Sequence, residues 1–577
     1  MSRNQLAGRG NKQMKNRNFR FVSLMLAMML WMIGCSNTST TNQNATASNA
    51  PKSQTDDMSK SAKPPATFTY FNAARPGKDV NTSETTIGKK LEEQTGVNFK
   101  IEHLVGDINT KIGVMIASGD YPDVLIPDSA MDKVLDAGAF IPLNNLLKEH
   151  APNIMKLYGP YLEMMKAKDG NIYHIPFEAA QGYMPDPNPT SGFWIQRGVL
   201  KEFGYPTITT LDEYFDIIKR YKEKHPQING KDTIGFETLT HDWRFFTLTN
   251  PPMHLAGYPN DGGVIVDMKT HEAQYYGDDE ITKRYLKKLN EANNQGLLDK
   301  ESLVANYDQY LAKIASGRVL GMFDYAWQFQ PASQSLLKEG DDDRRYIALP
   351  IVFDKGMKNQ YLDPPTFVQN RGIGITVKAK DPVRIIEYFD NMVTENNQKL
   401  INWGIKGETY EIDANGKFTR TPEQIKKTSD PNFQQQFGIG IYGYLWPMMG
   451  NFSVFADGNP KNPNLQPTVV EQGYTDGDRA ILKAYHAKVF SDLFSPPDER
   501  KWYPAWSAGI GKGTPEDIFV QKSGDLQRKY FPKMILARAA DFEQQWDEYS
   551  KEFNKLDAKT YENTITRIVK DRINGKW

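Results

Sequence analysis

The chain of 577 residues contains little cysteine and little histidine. Cys35 is the only cysteine, so no disulfide can form within the chain and packing of the core must stabilise any folded domain. The eight histidines are scattered and form neither an HExxH motif nor a close pair of metal ligands. Even HEAQYY, which begins at His271, lacks the second histidine. The sequence therefore predicts no bound metal and no metal-dependent enzyme.

Motifs for other common chemistries are also missing. There is no GxSxG element. AGIGKGT around Lys512 resembles a phosphate-binding loop, but Gly513 follows the lysine where Ser or Thr is required, and Trp506 replaces the first glycine. Paired carboxylates for glycoside hydrolysis stay possible, because a chain with 70 acidic residues contains many candidate pairs. The sequence gives no positive sign of catalysis, and we expect no cofactor.

The N-terminus carries charge of one sign only. Residues 1–20 contain six basic residues and no acid, and residues 21–33 read FVSLMLAMMLWMI, a run too short for a stable membrane anchor. These features are typical of a secretory signal. Gly34-Cys35 resembles the lipobox of bacterial lipoproteins, with Met32 where leucine is preferred. The resemblance implies a signal peptide over 1–34 and a diacylglycerol on Cys35; the alternatives are an ordinary secreted protein and an uncleaved anchor.

The next segment, residues 35–65, is rich in small polar residues and has almost no large apolar ones. Such a composition cannot bury enough surface to fold, so it predicts a flexible tether. Without residues 1–34, 64 basic side chains face 70 acidic ones, a net charge of about −6 that argues against nucleic acid as a partner. No later stretch has the length and apolarity of a membrane span.

Helix and strand patterns alternate along the remaining chain. ATFTYFNA at 66–73 predicts a strand, and the apolar residues of 211–222 recur at helical spacing behind a capping box of Thr210 and Glu213. Asp381-Pro382 predicts another helix start. Together these patterns favour an α/β protein with helices on both faces of mixed sheets, and the length favours two or three domains.

Aromatic residues make up 12% of the chain, and several tryptophans stand beside Gly, Pro or polar residues. An indole in a cleft offers a flat apolar face to a sugar ring, while neighbouring polar side chains can bond its hydroxyls. The alternative for each tryptophan is packing in the core or a loop. We expect several of seven to line a ligand cleft: Trp194, Trp243, Trp327, Trp403, Trp446, Trp502 and Trp506.

Five sequence blocks, in the expected order, resemble family 1 extracellular solute-binding proteins, the substrate receptors of ABC importers. The first is ASGDYPDVLIPDSAMDKVLDAGAFIPLNNLLKEHAPN at 117–153, and the others lie at 168–178, 193–222, 316–327 and 400–413. Gly198 stands where these proteins usually have Asp. The chain is most similar to the large lipoprotein type of Gram-positive sugar importers, related to alginate-oligosaccharide receptors.

This resemblance implies a two-lobed periplasmic-binding-protein type II fold with a hinge and a ligand cleft between the lobes. The N-terminal lobe would comprise 66–185 and 350–420, and the C-terminal lobe 186–349 and 421–577. A ligand that touches both lobes shifts the equilibrium toward the closed form, which the permease of an ABC transporter would recognise. We expect a monomer on the extracellular face of the bacterial cell membrane.

Larger members of this family often carry a calcium loop after the helix that corresponds to 211–222. The matching segment here, HPQINGKDTIGF at 225–236, begins with His225, has Thr233 where a carboxylate is expected, and keeps Asp232 as its only acid. Calcium needs six to eight oxygen ligands. We therefore expect no calcium in this loop.

Most of the predicted ligand-binding residues lie at the ends of predicted strands or in glycine-punctuated turns, because ligands of open α/β sheets bind beyond the carboxyl ends of strands, and Arg371 directly precedes the predicted strand GIGITV. These residues are Phe71, Asn72, Arg75, Asp128, Ser129, Trp243, Arg244, Trp327, Arg371, Tyr444 and Trp446.

Two functions are compatible with the sequence. The first is a non-catalytic lipoprotein that captures a carbohydrate, expected to be an oligosaccharide, and delivers it to an ABC transporter. The second is a secreted cell-surface glycosidase or polysaccharide lyase. The absence of a nucleophile motif and of a histidine or cysteine cluster favours the receptor.

Overall fold

The computed structural model describes residues 64–74, 77–364, 367–443 and 446–574. The predicted signal peptide, the lipidation site Cys35 and nearly all of the predicted tether lie outside the described residues. Arg75 and Tyr444, two predicted ligand-binding residues, lie outside them as well.

Sixteen strands lie within the described residues. In chain order they are β1 (Ala66–Asn72), β2 (Val80–Asn81), β3 (Val97–His103), β4 (Val124–Ile126), β5 (Ile175–Phe177), β6 (Ser191–Gln196), β7 (Gln227–Ile228), β8 (Lys231–Asp232), β9 (Ile234–Glu237), β10 (Val264–Val266), β11 (Ala273–Tyr275), β12 (Val319–Tyr325), β13 (Tyr346–Leu349), β14 (Val368–Ile375), β15 (Glu411–Ile412) and β16 (Phe418–Thr419).

The α-helices of the same ranges are α1 (Thr86–Thr95), α2 (Ile108–Ser118), α3 (Met131–Asp136), α4 (Asn144–His150), α5 (Pro152–Tyr158), α6 (Leu162–Met165), α7 (Arg197–Glu202), α8 (Leu211–Lys224), α9 (Phe246–Thr249), α10 (Pro251–Leu255), α11 (Glu280–Asn294), α12 (Tyr307–Ala315), α13 (Ala326–Lys338), α14 (Pro382–Met392), α15 (Glu395–Asn402), α16 (Pro422–Ser429), α17 (Pro431–Phe437), α18 (Pro467–Gly473), α19 (Asp476–Ala484), α20 (Pro515–Leu536), α21 (Phe542–Phe553) and α22 (Ala558–Ile573). None of the helices in these ranges combines the length and the apolar composition that crossing a membrane requires.

Two mixed sheets organise the fold, as the alternating pattern predicts. The larger has six strands in the order β2-β3-β1-β4-β14-β5, and the smaller has four in the order β13-β6-β12-β9. In the larger sheet β1 pairs in parallel with both β3 and β4. Successive side chains of a strand point to opposite faces, and here Tyr70 and Phe71 of β1 enter two different hydrophobic clusters. The six-stranded sheet is therefore covered on both faces.

Each sheet has its own hydrophobic core, and the cores define two lobes. We call N-terminal lobe the residues that pack with the six-stranded sheet, 66–179 and 367–469. The C-terminal lobe comprises the residues that pack with the four-stranded sheet, 191–361 and 476–573. The chain thus passes between the lobes three times, after β5, before β14 and after α18.

The lobe boundaries differ from the predicted ones in two segments. Residues 421–469, predicted in the C-terminal lobe, pack in the core of the N-terminal lobe. Trp446 anchors them there, since its ring meets those of Tyr70 and Phe99 edge-on at centroid distances of 4.9 and 5.2 Å. Residues 351–361, predicted in the N-terminal lobe, pack in the other core.

Both predicted helix starts are confirmed. Helix α8 begins after Thr210, whose side chain forms the predicted capping box with Glu213. Asp381 caps α14 by accepting a hydrogen bond from the backbone of Arg384.

The segment 225–236 forms a hairpin of β7 and β8. Its turn residues Asn229 and Gly230 both have positive φ, the arrangement that favours Asn-Gly in two-residue hairpins. Asp232 accepts a hydrogen bond from the amide of Gln227. Within the described ranges no three His, Cys, Asp or Glu side chains come together as a metal site. That this loop takes no calcium stays a prediction.

Candidate ligand-binding cleft

Two tryptophans form an exposed aromatic surface on the C-terminal lobe. The rings of Trp243 and Trp327 are nearly parallel, with centroids 5.9 Å apart and an interplanar angle of 9°. Their exposed fractions are 56% and 51%, whereas tryptophan is on average highly buried. Phe246 packs against both rings. We call Trp243 and Trp327 the indole pair.

The indole pair lies at the carboxyl ends of neighbouring strands. Strands β9 and β12 pair in parallel, so both end at the same edge of the four-stranded sheet. Trp243 lies in a short 3₁₀-helix (Asp242–Phe245) after β9, and Trp327 is the second residue of α13, which directly follows β12. This is the edge at which open α/β sheets bind ligands.

Arg244 wedges the first indole in place. Its guanidinium lies 4.6 Å from the ring centroid of Trp243 and 4.2 Å from that of Tyr307, and it forms an ion pair with Asp242. A guanidinium held over two aromatic faces gains cation–π attraction and limits the motion of both rings. Arg244 therefore supports the indole pair from behind.

A cavity of about 250 Å³ lies where the two lobes meet. The N-terminal lobe contributes the segment after β4 and the start of β14, while the C-terminal lobe contributes the segment before α20 and its first turns. Its lining residues are Asp128, Ser129, Met131, Asp132, Asn370, Arg371, Ala508, Gly509, Ile510, Asp517 and Val520.

The wall from the N-terminal lobe is polar. Asp128 follows β4 with a positive φ of 47°, a strained conformation for a non-glycine residue, and its carboxylate lies 3.1 Å from the guanidinium of Arg371. Burial raises the pKa of Asp128, and the charge of Arg371 opposes that rise. The amide oxygen of Asn370 is buried without a hydrogen-bond partner. This wall therefore offers several donors and acceptors to a ligand.

The wall from the C-terminal lobe is mainly apolar. Ala508, Ile510 and Val520 face the cavity, and Asp517 is its only acid. One wall that hydrogen-bonds and one that packs suit a ligand with polar edges and apolar faces. The two walls belong to different lobes, so only a ligand in the cleft can contact both.

A larger groove of about 870 Å³ runs along β2, β3 and α2. All its lining residues belong to the N-terminal lobe, so closure of the lobes would not enclose a ligand there. The smaller cavity and the indole pair are therefore the candidate ligand site.

Six predicted residues fall at two places, the cavity between the lobes and the exposed aromatic surface of the C-terminal lobe. Asp128, Ser129 and Arg371 line the cavity between the lobes, although β4 and β14 lie far apart in the sequence. The other three, Trp243, Arg244 and Trp327, form or support the indole pair.

Three other predicted residues lie in the core of the N-terminal lobe. Phe71 is buried between β1 and α2, and Trp446 is completely buried among aromatic rings. Asn72 is also completely buried, and its side-chain oxygen accepts a hydrogen bond from the backbone of Ala74. The expectation that these side chains face the cleft is corrected here, because they pack where strand alternation or a returning loop buries them.

Of the other four tryptophans that were candidates for the cleft, three are buried and one is partly exposed. Trp194, Trp403 and Trp502 pack in the cores, which confirms the alternative of core packing for them. Trp506 keeps 38% of its surface exposed and packs against Gly262.

Sequence reasoning missed the contribution of the segment before α20. Residues 508–510 and Asp517 line the cavity, yet in the sequence they appear only as a failed phosphate loop. Tyr307 was also missed, since nothing in the chain pairs it with Arg244. The glycines at 509, 511 and 513 were the available signal, as they allow a backbone to approach a ligand closely.

These features define a two-lobed α/β protein with a cavity between its lobes. Residues 86–404 match the family model described as bacterial extracellular solute-binding protein, which covers more than half of the chain. The chain belongs to this family, which confirms the resemblance of the five sequence blocks. It is therefore an extracellular, non-catalytic solute-binding protein.

Similar proteins cover most of the chain. The fructooligosaccharide ABC transporter substrate-binding protein FusA of Streptococcus pneumoniae is 23% identical over 539 residues, 86% of this chain and 88% of FusA. Lipoprotein LipO of Bacillus subtilis is 27% identical over 358 residues, 59% of this chain and 66% of LipO. The structure of a FusA EF-hand mutant with fructo-nystose aligns with a TM-score of 0.63 and 19% identity, covering 89% of this chain and all of that one.

Proposed function

We propose that this protein captures an oligosaccharide between its lobes and delivers it to an ABC transporter. The observation that carries the proposal is the indole pair, two parallel and half-exposed aromatic faces at the ligand edge of a sheet. Sugar rings stack on such faces through their C–H groups, and their hydroxyls bond polar groups like those around Asp128 and Arg371. The name of FusA, which describes an oligosaccharide-binding component of an ABC transporter, supports the same function.

A panel of oligosaccharides tests this proposal. Purified protein should show saturable changes in tryptophan fluorescence with one class of oligosaccharide, and its radius in solution scattering should shrink as the lobes close. Monosaccharides serve as the control for non-specific effects. The proposal fails if no member of a panel of neutral and acidic oligosaccharides binds. Cleavage products after long incubation would instead support the glycosidase or lyase.

The anchor belongs to the same proposal. We infer that Cys35 carries the lipid that holds the protein on the outer face of the membrane, and the name of Lipoprotein LipO supports this. Two acyl chains give stable membrane binding, whereas one holds only marginally. Cys35→Ser should abolish lipid labelling and leave the protein unprocessed or shed into the medium. A Cys35→Ser protein that is cleaved and still firmly membrane-bound would contradict the lipobox.

A further inference from the structure

A buried carboxylate lies directly behind the indole pair. Asp324 is the last residue but one of β12, and it is completely buried. Its carboxylate accepts hydrogen bonds from the hydroxyl of Tyr310, from the backbone N–H of Tyr325 at 2.7 Å and from the amide of Gln328 at 2.6 Å. A buried charge is tolerated only when it is bonded in this way.

These bonds fix the corner that carries the second indole. Trp327 lies between Tyr325 and Gln328, which are both donors to Asp324. The indole N–H of Trp194 also donates to the backbone oxygen of Asp324 at 2.8 Å. The turn from β12 into α13, and with it the direction of Trp327, therefore depends on the Asp324 carboxylate.

The first indole is connected to the same carboxylate. The guanidinium of Arg244, which lies against the ring of Trp243, is attracted by the charge of Asp324 and opposes the rise in its pKa. Tyr307, on the other side of that guanidinium, donates its hydroxyl to the backbone oxygen of Gln328. Both indoles thus have supports that converge on Asp324.

We propose that ionised Asp324 is the positioning residue that holds the indole pair parallel, so that ligand affinity depends on its ionisation. This rests on the proposed function, in which the indole pair stacks on the sugar. Protonation would turn one carboxylate oxygen into a donor where three donors already point, and it would remove the attraction for Arg244. The turn from β12 into α13 and the position of Arg244 against Trp243 would both become less fixed, and the affinity for the ligand would fall.

The surroundings of Asp324 place its protonation in a pH range that a binding experiment can cover. Burial raises the pKa of Asp324 to about 7, although its hydrogen bonds oppose the rise. The titratable and charged groups that face it are Glu237 from β9, Arg244 from the 3₁₀-helix, Tyr307 and Tyr310 from α12, and Tyr325 of its own strand. Burial also raises the pKa of Glu237. Replacing Asp324 alone separates the two titrations.

Stability should respond to pH in the opposite direction. Because the pKa of Asp324 is higher in the folded protein than in the unfolded chain, the native state binds more protons between the two values. The contribution of Asp324 to stability therefore increases as the pH falls through about 7. A merely structural role predicts this change in stability and no change in affinity. A positioning role predicts that acid raises stability and lowers affinity.

The test compares the wild type, Asp324→Asn and Asp278→Asn between about pH 8.5 and about pH 5.5. Asp278 is a matched control, because burial raises its pKa to about 6 and it lines another cavity of the same lobe beside Glu562. Near-ultraviolet circular dichroism measures the arrangement of the stacked indoles in the free protein, without a ligand. Affinity is measured with the oligosaccharide that binds in the panel above.

In the wild type, acid should weaken binding by about fivefold, the low end of the usual range for coupling between two sites. It should also change the indole dichroism, with a midpoint near pH 7. In Asp278→Asn, affinity and indole dichroism should depend on pH as they do in the wild type. In Asp324→Asn, neither should depend on pH in this range. Flat wild-type profiles would overturn the proposal without any variant, as would an Asp324→Asn profile equal to that of the wild type. If no oligosaccharide binds, the proposed function fails, while the dichroism still reports on Asp324.

Discussion

Trp327 and Trp446 have similar sequence surroundings and opposite environments. Each stands near a glycine or proline and an aromatic residue, and each was predicted in the cleft. Trp327 follows a strand at its carboxyl end and keeps half of its surface exposed, whereas Trp446 packs in the core of the N-terminal lobe and is completely buried. The difference shows that neighbouring residues in the sequence do not decide whether an indole is exposed, whereas its place in the fold does.

The largest expected effect is on the buried side of this comparison. Trp446→Ala should lower the free energy of unfolding by about 3–5 kcal/mol, the usual cost of removing a large aromatic side chain from a core. Its ring contacts Tyr70, Phe99 and Phe389, which would then line a void. Thermal or denaturant unfolding measures the loss. Affinity below the new melting temperature should match that of the wild type, and a large loss of affinity there would break the comparison.

Variants of the exposed indole pair should lose affinity and keep stability, the opposite of Trp446→Ala. Trp327→Ala and Trp243→Ala should each weaken oligosaccharide binding by about 2 kcal/mol, or roughly thirtyfold, as for aromatic anchors in desolvated sites. Their half-exposed rings contribute less to the core, so the melting temperature should change little. The Trp506→Ala variant is a control from the same lobe. Variants of the indole pair that lose stability and keep affinity would move the sugar site elsewhere.

The sequence was sufficient for the local and family-level features. The capping box at Thr210, the cap at Asp381 and the strand at 66–72 follow from short patterns that packing does not override. Asp128 was predicted from the end of one strand and Arg371 from its place just before another, and the structure brings them within 3.1 Å. Strand ends are visible in a sequence because apolar runs stop there.

The rest depends on contacts between distant segments. Asn72 is also at a strand end, yet pairing of β1 with β3 and β4 on both sides makes that end interior, which no local pattern reveals. That residues 421–443 and 446–469 stay in the N-terminal lobe likewise depends on aromatic packing around Trp446. Asp324 reads as an ordinary polar residue in a strand, and only the fold shows three donors around it.

A smaller effect is expected on the polar wall. Arg371→Met should remove hydrogen bonds to the ligand and leave Asp128 without its partner, which should weaken binding by about 1 kcal/mol, or roughly fivefold. Arg371→Lys keeps the positive charge and loses the forked geometry of the guanidinium, so its affinity should lie between those of the wild type and Arg371→Met. Calorimetry of all three proteins with one oligosaccharide measures the series. An Arg371→Met protein that binds as tightly as the wild type would assign this wall to lobe contact and not to the ligand.

The smallest effect should come from charges that face each other across the cavity. Burial raises the pKa of Asp132, and the negative charges of Asp136 and of Asp517 in the opposite lobe raise it further, while Lys512 opposes them. Like charges across the cleft disfavour closure, so Asp132→Asn should tighten binding. Because Asp132 is exposed to solvent, the gain should be only about twofold and should disappear at high salt. Affinities of both proteins at low and high ionic strength measure it. A gain that is independent of salt would show that Asp132 acts through a direct bond to the ligand and not through repulsion between the lobes.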